Sequence, residues 1–339
     1  MKLLVTGHNG YIGQVMVPFL QRAGHAVTGL DTFFYEGCQF DGAPPVEALR
    51  KDIRDIEPSD LEGFDAVLFL AALSNDALGD LDPALTYQIN RDATVRFAEL
   101  GKQAGVPRFV FSSSCSLYGA AGDAPLTETA AMNPVTPYGT AKIEVEQGLT
   151  KLADEQFSPV YMRNATAYGL SPSIRIDLVV NNLTAYAYTT GEVLMKSDGS
   201  PWRPLVHIED ICRAFLAVLE ADRDLVHDQA FNVGRSEENY RIREVAGLVA
   251  DVVPDCHLEF AEGASPDLRN YRVDFSKIET TLPGYEPVWT VRKGIEELYD
   301  AYQRHGLTQD EFLSSKYLRI KTILGHREAG RLDDALRWA

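Results

Sequence analysis

The sequence predicts an α/β fold: a doubly wound parallel sheet with a smaller C-terminal α+β lobe. Three observations carry that prediction. The first half alternates short apolar runs with longer amphipathic stretches. Such alternation implies right-handed crossovers and a parallel sheet covered on both faces. The first apolar run ends in closely spaced glycines, and after about residue 166 the alternation loosens into shorter strands among helices.

Taken in order, "KLLVTG" reads as a buried strand, followed by a helix from about Ile12 and a second strand, "AVTGLD". "AVLFLAAL" is the next strand, and the helix from about Pro83 repeats Ile89, Ala93, Phe97 and Leu100 along one face. "RFVFSSS" is a further strand, with a helix from about Pro137 behind it. Beyond residue 166, "VLMKSD", "QAFNVG" and "HLEFAE" read as strands, and "DICRAFLAVLEA" and "IREVAGLVADVV" as helices. Periodicity makes the last stretch, "DEFLSSKYLRIKTIL" to "DALRWA", one or two additional helices.

Composition bounds the partners. The chain is 45% apolar and 24% charged over 339 residues, values of an ordinary soluble protein. Its 32 basic and 49 acidic residues leave a charge of −17, which argues against nucleic-acid and anionic-membrane partners. "MKLLVTGHNG" lacks signal-peptide anatomy, and no segment approaches the ~20 apolar residues of a membrane span. Four cysteines, at 38, 115, 212 and 256, fall in no metal-type spacing. The expectation is a reduced cytoplasm and no metal.

"VTGHNGYIG" places Gly7, Gly10 and Gly13 between a strand and a helix, with Tyr11 and Ile12 in the same turn. Glycines there admit a pyrophosphate to the backbone, and the helix N-terminus offers it unpaired N–H groups. Asp31 closes the second strand 18 residues after Gly13. A carboxylate at that point accepts from adenosine ribose hydroxyls and repels a 2′-phosphate, so NAD is expected over NADP. The sheet is therefore expected to be of the Rossmann type. Residues 1–166 would form the NAD-binding unit, with some later segments returning to it. Residues 167–304 would form a substrate lobe and 305–339 a helical extension.

The G-x-x-G-x-x-G spacing resembles the extended short-chain dehydrogenase/reductases, the NAD-dependent nucleotide-sugar epimerase/dehydratase family of UDP-glucose 4-epimerase-like enzymes. Later segments follow that pattern to about residue 300. "KDIRD" resembles the adenine-contact turn, which implicates Asp52 and Ile53; "FLAAL" implicates Ala71 and Ala72; "YQINRDAT" implicates Asn90 as a brace of the cofactor site.

"TPYGTAK" sets Tyr138 and Lys142 four residues apart, on one helical face. A phenol of pKa near ~10 is a poor base at neutral pH, and a neighbouring ammonium lowers that value. Tyr138 could then take a proton from a sugar hydroxyl. In "SSSCSLYG" the resemblance makes Ser114 the third catalytic hydroxyl, orienting the reacting oxygen. Cys115 points to the opposite face and reads as packing. Ser116 stands where the family's decarboxylases carry a glutamate, and Cys115-Ser116 stands where its dehydratases carry an Asp-Glu or similar pair. Its hydroxyl implies redox chemistry at one carbon.

On the substrate side, "MRNATAYG" puts Thr166 where the family has Asn. "DLVVNNLTAYA" implicates Asn182, with Asn181 as a second candidate for the diphosphate. In "SDGSPWRPLVHIEDI" the resemblance makes Arg203 the phosphate ligand, while His207 and Asp210 read as structural. Asp267 and Asp274 match a late D-x(6)-D-x-S-K motif, but Ala264 replaces its usual arginine. Arg269, Arg272 or Arg175 could supply that contact. The expected activity is epimerisation of a nucleoside-diphosphate sugar at C4 through a 4-keto intermediate. Alternatives are a one-way 4-dehydrogenase or 4-ketoreductase, a 4,6-dehydratase and a non-catalytic NAD sensor. The resemblance also implies a homodimer through the helices at about 83–104 and 137–155.

Overall fold

A computed structural model describes residues 1–42, 45–74, 82–195, 197–260 and 270–339. Strands follow the apolar runs: Lys2–Thr6 (β1), Ala26–Asp31 (β2), Ala48–Arg50 (β3), Ala66–Phe69 (β4) and Arg108–Ser114 (β5). Then come Ala120–Leu126 (β6), Ser158–Asn164 (β7), Thr166–Tyr168 (β8), Glu192–Met195 (β9) and Trp202–His207 (β10). Gln229–Val233 (β11), Asn239–Arg241 (β12), His257–Phe260 (β13) and Asn270–Val273 (β14) complete them.

Seven of these form one parallel sheet in the order β11-β7-β5-β4-β1-β2-β3. Every residue of β4 and of β7 is buried, as expected of strands covered on both faces. Chain order reverses between β1 and β4, which opens the crevice where ligands sit in such sheets. The edge strand β11 returns from within the second half of the chain, so the sheet is not built from residues 1–166 alone.

One face of the sheet packs Phe69, Phe97, Phe109, Phe111 and Phe157, and the other packs Ile211, Phe215 and Val218 from the helix Ile208–Glu220. The helical face read at Ile89, Ala93 and Phe97 is buried, but Gln88–Asp92 is a π-helical turn between Pro83–Tyr87 and Ala93–Gln103. π-Turns inside helices often mark functional positions.

The second lobe holds the three-stranded set β12-β10-β8 and the parallel pairs β13-β9 and β14-β6. Several of its parts escaped the sequence reading, β12, β14, β6 and the helix Val291–His305 among them. β6, "AAGDAPL", is mostly exposed and lacks apolar alternation. The helix Val291–His305, capped by Thr290, buries Val291, Ile295, Leu298 and Tyr302 at helical spacing. Two helices close the chain, Gln309–Phe312 and Arg319–Glu328. Among the described residues no helix is long and apolar enough to cross a membrane.

Candidate active site

The crevice between β1 and β4 opens into a cavity of about 770 Å³ that runs from the glycine turn to β10. That size suits a bound organic ligand. The turn is packed to the limit of glycine. A Cβ on Gly13 would lie 2.3 Å from the Gly7 carbonyl oxygen and 2.6 Å from His8 Cα. Gly7 has φ +69°, and a Cβ there would lie 2.9 Å from the Ala71 nitrogen. These residues form a backbone cradle shaped for a pyrophosphate, with the helix Gly13–Arg22 starting behind it. Tyr11 and Ile12 line the same cavity. The Tyr11 hydroxyl donates to the Gly169 carbonyl at 2.8 Å, which ties the turn to the second lobe.

Asp31 ends β2 and accepts from the Asn9 and Phe33 amides at 3.0 and 2.7 Å. Burial pushes its carboxyl up, while those amides and the charges of His8 and Arg319 hold it down. Ribose hydroxyls donating to it would complete the shell of an ionised acid. Asp31→Ser should therefore weaken NAD binding to the cofactor-free protein roughly ten- to a hundredfold, the worth of hydrogen bonds to a charged group. It should also narrow the preference over NADP. An unchanged NAD-to-NADP affinity ratio by calorimetry would remove Asp31 from the ribose site.

Asp52, Ile53, Ala71 and Ala72 line the cavity beside Asp31. The Asp52 carboxylate is itself engaged, accepting from the Arg54 amide at 2.8 Å and pairing with its guanidinium at 2.7 Å. Asn90 stands behind the wall and is not among the lining residues. Its side chain accepts from the Leu73 amide and donates to the Leu73 carbonyl, at 2.8 and 3.0 Å. The π-turn thus aims Asn90 at the loop that follows β4.

Ser114, Ser116, Tyr138 and Lys142 face the cavity from β5, the turn after it and the helix Pro137–Thr150. Thr136 caps that helix and Pro137 starts it, which sets Tyr138 in its first turn. Lys142 is 3% exposed; its Nζ donates to the Ser112 carbonyl at 2.6 Å and lies 5.4 Å from the Tyr138 ring centroid. Burial lowers its pKa to about 7, against the pull of Glu146. A free lysine titrates near 10.5, so the unfolded chain keeps a proton that the folded one sheds. The cost of burying Lys142 is full below about pH 7 and fades as pH rises toward 10.5.

Ser114 Oγ accepts from the Ser116 amide at 3.1 Å, which leaves its O–H for another partner. Ser116 Oγ and Asn164 Oδ1 are buried on the cavity wall without a partner among the described residues. Buried polar atoms of this kind call for a ligand or water. Cys115 turns the other way: it is fully buried, its Sγ lies 3.1 Å from the Arg163 carbonyl, and burial pushes its thiol pKa far up. A thiol so placed is packing, not a nucleophile.

Toward the second lobe, Thr166, Arg175, Asn182 and Arg203 also line the cavity. Arg175 grips Asp177 at 2.6 and 3.1 Å and donates to the Ser74 carbonyl at 2.9 Å. Burial alone would lower its pKa, but Asp177 outweighs it and keeps the guanidinium charged. Arg203 is 6% exposed, 5.8 Å from the Tyr271 ring centroid. Asn181 instead braces the fold, accepting from the Gly169 amide and donating to the Arg175 carbonyl and Tyr11 hydroxyl. His207 bonds Glu297 and stacks on Trp289, Asp210 accepts from the Val288 and Trp289 amides, and Asp274 accepts from the Ser276 amide. Arg272 lies over Trp202, off the cavity. Arg269, Asp267 and Ala264 lie outside the described residues.

Phe34, Tyr35, Tyr271 and the C-terminal Leu318, Arg319 and Ile320 line the cavity without any sequence signal that marked them.

Comparison with known proteins agrees with this geometry. The chain is 29% identical over 320 residues to a UDP-glucose 4-epimerase of Mycolicibacterium smegmatis, covering 89% of this chain and 99% of that one. It is 26% identical over 326 residues to UDP-glucuronic acid decarboxylase 1 of Arabidopsis thaliana, covering 92% and 72%. Among solved structures it resembles MoeE5 in complex with UDP-glucuronic acid and NAD, with a TM-score of 0.77 at 26% identity over 90% of this chain and 99% of that one. Residues 3–234 match the NAD dependent epimerase/dehydratase family. A cradle that only glycine can line, an acid at the end of β2 and that match agree: the chain is an enzyme of the NAD-dependent epimerase/dehydratase family, with NAD as its cofactor.

Proposed function

We propose that the protein epimerises a UDP-linked hexose or hexuronic acid at C4. The observation that carries this reading is the cavity's inventory of acids. Ser114, Tyr138 and Lys142 face one space, and its lining carboxylates among the described residues are Asp31, Asp52 and Asp177. Asp31 and Asp52 stand at the glycine-turn end, and Asp177 is paired with Arg175. Each is already engaged, Asp31 by backbone amides, Asp52 by Arg54 and Asp177 by Arg175, so among the described residues the cavity offers no uncommitted carboxylate for the second proton transfer that dehydration or decarboxylation requires. The UDP class follows from the relatives, of which several are UDP-glucose 4-epimerases.

In this mechanism Tyr138, as phenolate, takes the proton from the C4 hydroxyl, and Lys142 favours that ionisation in its protonated form, which prevails below about pH 7 and which Glu146 supports. Ser114 donates to the same oxygen and orients it. NAD held by the glycine turn and Asp31 would supply a reversible hydride acceptor for C4. The 4-keto sugar turns about its diphosphate link between the two transfers, and Tyr138 gives its proton back to the new alcohol. Arg203 and Asn182 hold the diphosphate while the sugar turns. No external reductant is consumed.

Denaturing the purified protein should release NAD. Incubating the native protein with UDP-glucose, UDP-galactose or UDP-glucuronic acid, without added cofactor, should yield the C4 epimer by NMR. Stoichiometric NADH with a keto product would mark a one-way oxidoreductase, and loss of carbon dioxide from UDP-glucuronic acid a decarboxylase. Either result overturns the proposal.

A further inference from the structure

Among the described residues four basic side chains line the cavity: Lys142, Arg175, Arg203 and Arg319. Lys142 is bound to Ser112, Arg175 grips Asp177, and Arg203 stands at the β10 end. Arg319 comes from the last helix and sits at the opposite end, near enough to Asp31 for its charge to act on that carboxyl. Its guanidinium carbon lies 4.1 Å from the Tyr35 ring centroid, and Nη2 donates to the Ser173 hydroxyl and carbonyl at 3.0 and 3.2 Å. Its Nε is buried with no acceptor among the described residues. Arg175 is close enough to repel it, while Tyr35 and Asp177 are close enough to attract it. The stretch after Asp31, "TFFYEGCQFDG", holds no lysine or arginine, and the whole chain carries −17. A dianionic diphosphate at the glycine turn therefore has a cation to meet only from elsewhere in the chain.

The end of the chain is fastened across this part of the cavity. The Trp338 indole donates to the Thr32 carbonyl at 2.6 Å, one residue from Asp31, and His326 bonds the Phe34 carbonyl at 2.9 Å. Arg54 donates to the carbonyls of Ala335 and Leu336 at 2.8 and 3.1 Å, and Arg337 pairs with Asp55. Ile323, Leu332 and Leu336 are buried in the same cluster as Leu30 and Ile53.

We propose that the C-terminal segment is part of the dinucleotide site, with Arg319 donating to the diphosphate of bound NAD and the 326–338 stretch latching that arginine over the adenosine half. The inference rests on NAD as cofactor and not on which sugar is turned over. A fork of N–H donors suits phosphate oxygens, and its partial enclosure strengthens the contact. A latch fixed at Thr32 and Phe34 must loosen before the dinucleotide can leave, which retains NAD through successive turnovers.

Calorimetry on cofactor-stripped protein tests this. Arg319→Gln should weaken NAD and ADP roughly ten- to a hundredfold, as expected for charge-assisted hydrogen bonds. It should leave adenosine unchanged, and Arg319→Lys should recover part of the loss. Unchanged NAD affinity overturns the proposal, as does an equal loss for adenosine, which would make Arg319 mere packing. If UDP binding to the NAD-loaded protein falls instead, the arginine serves the substrate and the proposal also fails. Wild-type protein that binds no NAD would defeat the cofactor assignment itself, a separate outcome. Trp338 is 40% exposed, so Trp338→Ala should fold. It should speed NAD release about tenfold in a displacement experiment, and an unchanged rate would remove the latch.

Discussion

Tyr138→Phe should cut kcat by a hundred- to ten-thousandfold, roughly the share that a positioned acid–base group contributes. NAD content should stay at the wild-type level, because the glycine turn, Asp31 and Lys142 are untouched. The change removes one oxygen from a half-buried side chain in the first turn of its helix, so the fold should be indifferent to it. Activity within about fivefold of wild type, at equal NAD content, would take the proton transfer away from Tyr138. The KM for the nucleotide sugar should move little. Arg203 and Asn182, the proposed diphosphate ligands, would hold the ground state as before.

Glu146→Gln should destabilise the protein by about 3 kcal/mol or more, the cost of leaving one member of a buried ion pair alone. Glu146 pairs with Arg163 at 2.7 Å, with side chains only 7% and 4% exposed, and accepts from the Ser113 hydroxyl at 2.5 Å. Arg163 also donates to the Tyr118 hydroxyl and the Glu128 carbonyl. Losing the carboxylate therefore leaves its cation buried in a network that cannot rotate away. The same substitution removes the charge that supports the Lys142 ammonium. Lys142 should then shed its proton at lower pH, and the alkaline limb of kcat should move down with it. Denaturant titration and a pH–rate profile read the two effects separately. An unchanged midpoint of unfolding would show that Arg163 finds another partner.

The parts of the site legible in the sequence are those built from neighbours along the chain. Gly7, Gly10 and Gly13 act through one turn, Asp31 ends the next strand, and Tyr138 and Lys142 share one helical face. The first two are local patterns at strand ends and the third is a local pattern on a helix, and the fold carries all of them to one crevice. Arg319 had no such signature. It reaches Ser173 across 146 residues, and nothing in "YLRIKTIL" distinguishes it from a solvated helix face. Asn181 and Asn182 show the limit in another way. They are adjacent on one helix, yet one braces the loop and the other faces the cavity, a difference set by helix rotation. Asn90 was expected from the resemblance alone and bonds the Leu73 backbone, while the π-turn that aims it has no hydrophobic period of its own.

β11 has a bearing on how the chain comes to be folded at all. It supplies the edge partner of β7, pairing from Gln229↔Val160 to Val233↔Asn164, and seats the fully buried Phe231 and Val233. A nascent chain emerging from the ribosome has completed β1 to β7 long before that partner exists. During this interval β7 presents an open ladder of N–H and C=O groups, the kind of edge that pairs with other chains. Completion of the cofactor-binding sheet must therefore wait until residue 233 has emerged, by which point more than two-thirds of the protein has been made. A fragment ending near residue 166 would keep that edge open, a standing liability to pairing with other chains.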